Sequence, residues 1–232
     1  MPNEPPCAVV TGSSSGIGRA VAERLLADGW QVTGLDRAPA AITHAAFTHV
    51  AADLTDAQAT ERVAAELGTP DALVHAAGVL RVGPLGRLNA DDGTLMWRLH
   101  VDAAIRLADV LLPAMAQAGW GRVVLLGSRV AQGKAGRSQY AGTKAALLGL
   151  ARSWAAEVVA SGVTVNVVSP AATQTAMTDD PARRDVTPVL PPIGRLIQPD
   201  EIASLVSYLL SPAAAAITGQ DLQICGGASL PR

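Results

Sequence analysis

Three side chains near the middle of the chain have types and spacing that can do chemistry: Ser128, Tyr140 and Lys144. Tyr140 and Lys144 are four residues apart, which on a helix puts them on one face. A free phenol has a pKa of about 10, and a neighbouring cation favours the phenolate. Bringing that value to about 7 takes roughly 4 kcal/mol of differential stabilisation. A phenol tuned in this way passes a proton to or from an alcohol or carbonyl oxygen. Ser128 offers a hydroxyl to the same oxygen. Taken alone, Tyr-x-x-x-Lys is also an ordinary pair on a solvated helix, so the elements around it must decide.

Those elements are legible. The apolar run Val123, Val124, Leu125 and Leu126 reads as the end of a buried strand, residues 121–127, that delivers Ser128. Residues 138–161 read as a helix carrying Tyr140 and Lys144. Near the N-terminus, residues 7–11 form another short apolar strand, followed at once by Gly12-Ser13-Ser14-Ser15-Gly16-Ile17-Gly18. Ile17, Val21, Leu25 and Leu26 then recur at helical spacing up to Gly29, a C-cap signal. Strand, glycine loop and helix form the context of a phosphate-binding loop, with a pyrophosphate at the helix N-terminus. Asp36 closes the next strand, residues 31–35. A carboxylate there accepts hydrogen bonds from adenosine ribose hydroxyls and repels a 2′-phosphate; the adjacent Arg37 would tolerate one.

Composition narrows the class. The chain has 232 residues, 49% apolar and 16% charged, enough for one large core and unlike a disordered chain. A net charge of −2 without a basic block gives no case for nucleic acid or a membrane surface. Cys7 and Cys225 are far apart and lack metal-ligand spacing. Residues 1–6 read as a flexible polar tail without signal-peptide character, and no apolar run approaches a membrane span. A cytoplasmic protein acting on a small molecule is the expectation.

Further along, residues 48–52 are a short strand closed by Asp53 and Leu54, with little room for a crossover helix after Asp36. Thr55-Asp56-Ala57-Gln58 reads as a capping box opening a helix. Residues 71–75 are a strand followed by Ala76-Ala77-Gly78, small residues that let the backbone lie close to a cofactor. Residues 91–115 read as one long helix containing His100. Residues 163–169 are a strand stopped by Pro170, and residues 171–192 an irregular candidate lid. Pro199 opens a helix with Ile202, Leu205, Val206, Leu209 and Leu210 at core spacing, and residues 221–224 form a last strand. The alternation implies a single α/β domain over 1–232, a doubly wound Rossmann-type parallel sheet of about seven strands. Its site would lie at the strands' C-terminal ends.

The ordered set of Thr11-Gly12-x-x-x-Gly16-Ile17-Gly18, Asp53-Leu54, Ala76-Ala77-Gly78, Ser128, Tyr140-x-x-x-Lys144, Asn166-x-Val168-x-Pro170, Thr218-Gly219-Gln220 and Gly226-Gly227 resembles the short-chain dehydrogenase/reductase family over essentially the whole chain. Within it, the chain looks most like dehydrogenases of cyclic diols such as 2,3-dihydro-2,3-dihydroxybenzoate. The resemblance implies an NAD-dependent hydride transfer to or from a small polar secondary alcohol or ketone, of the cyclic-diol or sugar-acid type, in a homotetramer. Tyr140 would be the general acid/base, with Lys144 lowering its pKa and holding the nicotinamide ribose. Ser128 would orient the substrate oxygen. Cofactor contacts would come from Gly12, Ser14, Ser15, Gly16, Ile17, Gly18, Asp36, Asp53, Leu54, Ala76, Ala77, Gly78, Pro170, Thr173 and Thr175, beside Tyr140 and Lys144. Three departures stand out: His75 where Asn is usual, Ala171 after Pro170 where Gly is usual, and His100 where an Asn anchors a water on the lysine's proton relay. His100 would either shuttle protons or be a packed histidine. Arg81, Arg129, Arg183 and Arg184 flank the expected substrate end, where one would clamp a carboxylate or all would be solvated. A second reading of the whole is a catalytically weak member that serves as a nucleotide-binding sensor.

Overall fold

A computed structural model describes residues 4–175 and 189–231. The β-branched, apolar runs form a seven-stranded sheet: β1 (Cys7–Thr11), β2 (Gln31–Asp36), β3 (Phe47–Ala51), β4 (Ala72–His75), β5 (Gly121–Leu126), β6 (Val163–Pro170) and β7 (Asp221–Ile224). The order is β3-β2-β1-β4-β5-β6-β7, and every pairing is parallel. Parallel neighbours require crossovers, and α1 (Gly16–Ala27), α2 (Ala57–Glu66), α3 (Ala90–Trp97), α4 (Ala103–Ala118), α5 (Ser138–Val158) and α6 (Pro199–Leu210) supply most of them. β2 reaches β3 without a helix, as the short spacing implies.

Strand residues alternate between two cores, because successive side chains point to opposite faces. Val9, Val123, Leu125, Val165 and Val167 pack with Leu107, Leu111, Met115 and Leu147 from α4 and α5. Val10, Val124, Leu126 and Val168 pack with Val21, Leu25, Ile202 and Val206 from α1 and α6. Strands buried on both faces read as continuous apolar runs, which is why they were visible. Strand order reverses between β1 and β4, so the crevice beyond their C-terminal ends is the natural ligand site.

Two local expectations are corrected. Asp56, not Thr55, caps α2: its side chain accepts the Ala59 N–H, while the Thr55 hydroxyl donates to Asp53. The long helix over 91–115 is α3 and α4 joined by a π-helical turn, Arg98–Asp102, and it runs on to Ala118. Of the segment 171–192, residues 176–188 lie outside the described residues, Arg183 and Arg184 among them. Its described flanks are tied down: Gln174 N–H donates to Ile197 O, and Ile193 N–H to Gly226 O.

Candidate active site

A cleft of about 890 Å³ opens at the C-terminal ends of the strands. Its floor is the loop after β1. Gly12 has φ of +70°, and a Cβ there would stand 2.9 Å from Ala77 Cα. A Cβ on Gly18 would stand 2.2 Å from Gly12 O. Neither position admits a side chain, and the bare backbone leaves a cradle ahead of the N-terminus of α1. Ser15, Gly16 and Ile17 share this wall, and Thr175 stands over it, its methyl 3.4 Å from where a Cβ on Gly16 would be.

Asp36 sits at the edge of the cleft on the C-terminal end of β2. One carboxylate oxygen accepts Ser14 N–H at 2.9 Å, and the other accepts Ala38 N–H at 2.9 Å. Ser14 itself is not in the wall; its N–H holds Asp36 in place. Asp53 and Leu54 line the same end. Hydrogen bonds from Thr55, with help from the nearby Arg37 charge, hold the Asp53 carboxyl below its ordinary range. The cradle of glycine backbone, the helix N-terminus and the paired carboxylates fit a dinucleotide.

At the other end stand Ser128, Tyr140 and Lys144, all in the cleft wall. β5 is three strands from β2, roughly 14 Å at the usual spacing. Ser128 caps a short 3-10 turn, its hydroxyl accepting Val130 N–H at 3.2 Å. Tyr140 packs with Leu80 and Met96. Lys144 is 5% exposed, donates to Leu126 O at 2.6 Å, and its Nζ lies 5.9 Å from the Tyr140 ring centre. Burial pushes its ammonium down to about 8. Pro170 and Thr173 close the wall beside Ala76, Ala77 and Gly78.

The two unusual histidines are buried behind this wall, 1% and 0% exposed. Thr11 Oγ1 accepts N–H bonds from Ala76 and Ala77 at 3.0 and 2.9 Å, which leaves its proton for His75 Nδ1 at 3.1 Å. His75 therefore carries its own proton on Nε2 and donates it to Leu99 O at 3.2 Å. His100 has the opposite tautomer. Its Nε2 accepts Val79 N–H at 3.0 Å, so Nδ1 donates to Thr143 Oγ1 at 2.8 Å, and the Thr143 hydroxyl donates to Tyr140 O at 2.8 Å. Burial, then the Lys144 charge, lowers both rings, His75 to about 4 and His100 well below 6.5.

The sequence reading overlooked Thr11 and Thr143 as hydrogen-bonding hubs. A threonine among the apolar residues of a buried strand, and one inside Tyr-x-x-x-Lys, were the available signals. It also passed over Lys134 and Arg137, which line the reactive end with the anticipated Arg81 and Arg129.

Residues 12–229 match a family model described as enoyl-(acyl carrier protein) reductase. The chain is 36% identical over 234 residues to 3-oxoacyl-[acyl-carrier-protein] reductase FabG of Salmonella typhimurium, covering 95% of this chain and 96% of that one. It is 34% identical over 238 residues to 2,3-dihydro-2,3-dihydroxybenzoate dehydrogenase of Escherichia coli, with the same coverage. A solved short chain dehydrogenase/reductase family protein superposes with a TM-score of 0.90 at 33% identity, covering 98% of both chains. A 3-oxoacyl (acyl-carrier-protein) reductase from Agrobacterium tumefaciens, solved with NADP bound, gives 0.87 at 29% identity, over 96% of this chain and 93% of that one. By sequence along nearly its whole length, and by fold, this chain belongs to the short-chain dehydrogenase/reductase family of oxidoreductases.

Proposed function

We propose that the chain is an NAD-dependent oxidoreductase that moves a hydride between nicotinamide and a small polar secondary alcohol or ketone, of the cyclic-diol or sugar-acid type. The observation that carries this reading is the convergence of Ser128, Tyr140 and Lys144 on a cleft whose other end holds Asp36 and Asp53. Bound nicotinamide supplies or accepts the hydride. The Ser128 hydroxyl donates a hydrogen bond to the reacting oxygen and orients it. Tyr140 gives that oxygen a proton in reduction and takes it in oxidation. The Lys144 ammonium, anchored on Leu126 O, favours the phenolate form that the transfer requires.

Gly12, Gly16 and Gly18 would hold the pyrophosphate, and Asp36 the adenosine ribose. A 2′-phosphate would face Asp36, which favours NAD, while Arg37 in the same wall would tolerate one. The NADP seen in the Agrobacterium relative is the competing choice. Arg81, Arg129, Lys134 and Arg137 line the reactive end, Arg81 ion-paired with Asp92 at 3.5 Å. That charge supports an acid-bearing substrate over a neutral one. In this reading residues 1–232 act as one domain, and the enzyme works in the cytoplasm as a homotetramer. Light scattering that reads a monomer would remove the assembly.

The test is cofactor-linked absorbance with NAD and NADP, in both directions, over cyclic diols, sugar acids and simple secondary alcohols. Turnover with NAD on an acid-bearing alcohol is the expected result. Preference for NADP would overturn the role given to Asp36. Cofactor binding without turnover would favour a nucleotide sensor.

A further inference from the structure

The hydrogen bonds around His75 and His100 form one chain across four elements. It starts at Thr11 on β1, passes through His75 on β4 to Leu99 O in the π-helical turn, and leaves that turn through the neighbouring His100. From His100 it branches to Val79 N–H and, through Thr143, to the carbonyl of Tyr140 on α5. The wider π turn lets Leu99 O and the His100 ring serve different partners, a feature often found at functional sites. The His100 ring also meets the Tyr140 ring edge-on, centres 5.6 Å apart and planes at 90°. Gly78 in the cleft wall lies against the ring: a Cβ there would lie 3.2 Å from His100 Nε2 and 3.8 Å from Lys144 Nζ.

Both ring nitrogens of His75 and of His100 already have a partner, and the donors fix which nitrogen holds the proton. A second proton on His100 would set its Nε2–H against the Val79 N–H. A proton relay needs a nitrogen that can exchange protons with the site, and none is spare. We propose that His75 and His100 are positioning residues, a neutral pair of opposite tautomers. They tie the strip Ala76–Val79, along the cofactor cradle, to the helical turn that carries Tyr140 and Lys144. His100 then acts through Tyr140 and does not carry protons. The kinetic part of this assignment rests on the hydride-transfer reading above.

The experiment pairs NMR with two variants of the full chain. Nitrogen-15 spectra of the wild-type imidazoles should show the proton on Nε2 of His75 and on Nδ1 of His100, with neither ring titrating between pH 8 and 5.5. The opposite tautomer for His100, or titration near pH 6.5, overturns the proposal whether or not any substrate is known. His100→Asn keeps one acceptor and one donor; His100→Leu keeps neither. On a turned-over substrate, His100→Leu should lower kcat about a hundredfold, the cost of a small misplacement of reacting groups. His100→Asn should recover most of that, with the pH profile of kcat unchanged. Equal losses in the two variants, or rescue of His100→Leu by added imidazole, would identify a proton carrier and overturn it. Absence of turnover in the wild type sinks the hydride-transfer reading and leaves the spectra as the test of the pair.

Discussion

At the adenosine end of the cleft the wall is main chain and glycine, with Asp36 pinned by two backbone N–H groups. At the reactive end it is side chains from distant elements: Lys144 on Leu126 O, His100 on Val79 and Thr143, His75 on Thr11 and Leu99. The first kind of wall recognises a ligand whose shape is fixed. Backbone atoms cannot be mutated, and glycine spacing encodes them compactly. The second kind sets proton positions and charge, which only side chains can do, and its parts come from β1, β4, the π turn and α5. The ends also differ in charged lining, with Asp36, Arg37 and Asp53 at one and Arg81, Arg129, Lys134 and Arg137 at the other.

The contrast has consequences, largest first. Tyr140→Phe should lower kcat/KM by about 10²–10⁴-fold, the usual worth of a positioned acid/base, while cofactor affinity holds in a fluorescence titration. Full activity would remove Tyr140 from the chemistry. Gly18→Ala should act at the other end alone. Its methyl meets Gly12 O, and crowding of this kind costs about 1–3 kcal/mol, so cofactor Kd should rise roughly 5- to 150-fold. Unchanged affinity would mean that the loop does not hold the pyrophosphate.

Acid should loosen the reactive end first. The folded-state pKa of His75 lies below the ordinary 6.5, at about 4. As pH falls, the unfolded chain therefore takes the proton first. The stability conferred by the neutral ring is complete above about pH 6.5 and is lost progressively down to about pH 4, roughly 3 kcal/mol in all. The Lys144 charge facing this ring adds to the effect, while the backbone hydrogen bonds at Leu99 and His100 oppose it. Urea midpoints measured from pH 7.5 to 4.5 should fall steeply in the wild type and less steeply in His75→Asn. Parallel slopes would deny His75 this part.

The smallest effect concerns charge. Arg129→Ala should raise KM for an acid-bearing substrate about tenfold and leave a neutral analogue unmoved, about 1.4 kcal/mol for one lost ionic hydrogen bond. An equal change for both would mean that Arg129 only shapes the wall.

The strands and their parallel direction, the glycine loop and the placing of Ser128 after a strand and of Tyr140 and Lys144 on one helix were determined by the sequence itself. Each depends on a local signal: apolar runs of strand length, glycines at backbone-close positions, and a four-residue helical spacing. Even the missing helix between β2 and β3 followed from a count of residues. The break in the long helix did not show, because a π turn depends on tertiary contacts such as that of Leu99 O with His75 from another element. The choice of Asp56 over Thr55 as cap depended on Asp53 claiming the threonine hydroxyl. His75 and His100 were visible as residues, but their tautomers and partners were not. A histidine's protonation is set by which donors and acceptors lie within about 3 Å. Here those partners sit up to 64 residues away along the chain and meet only when the sheet closes.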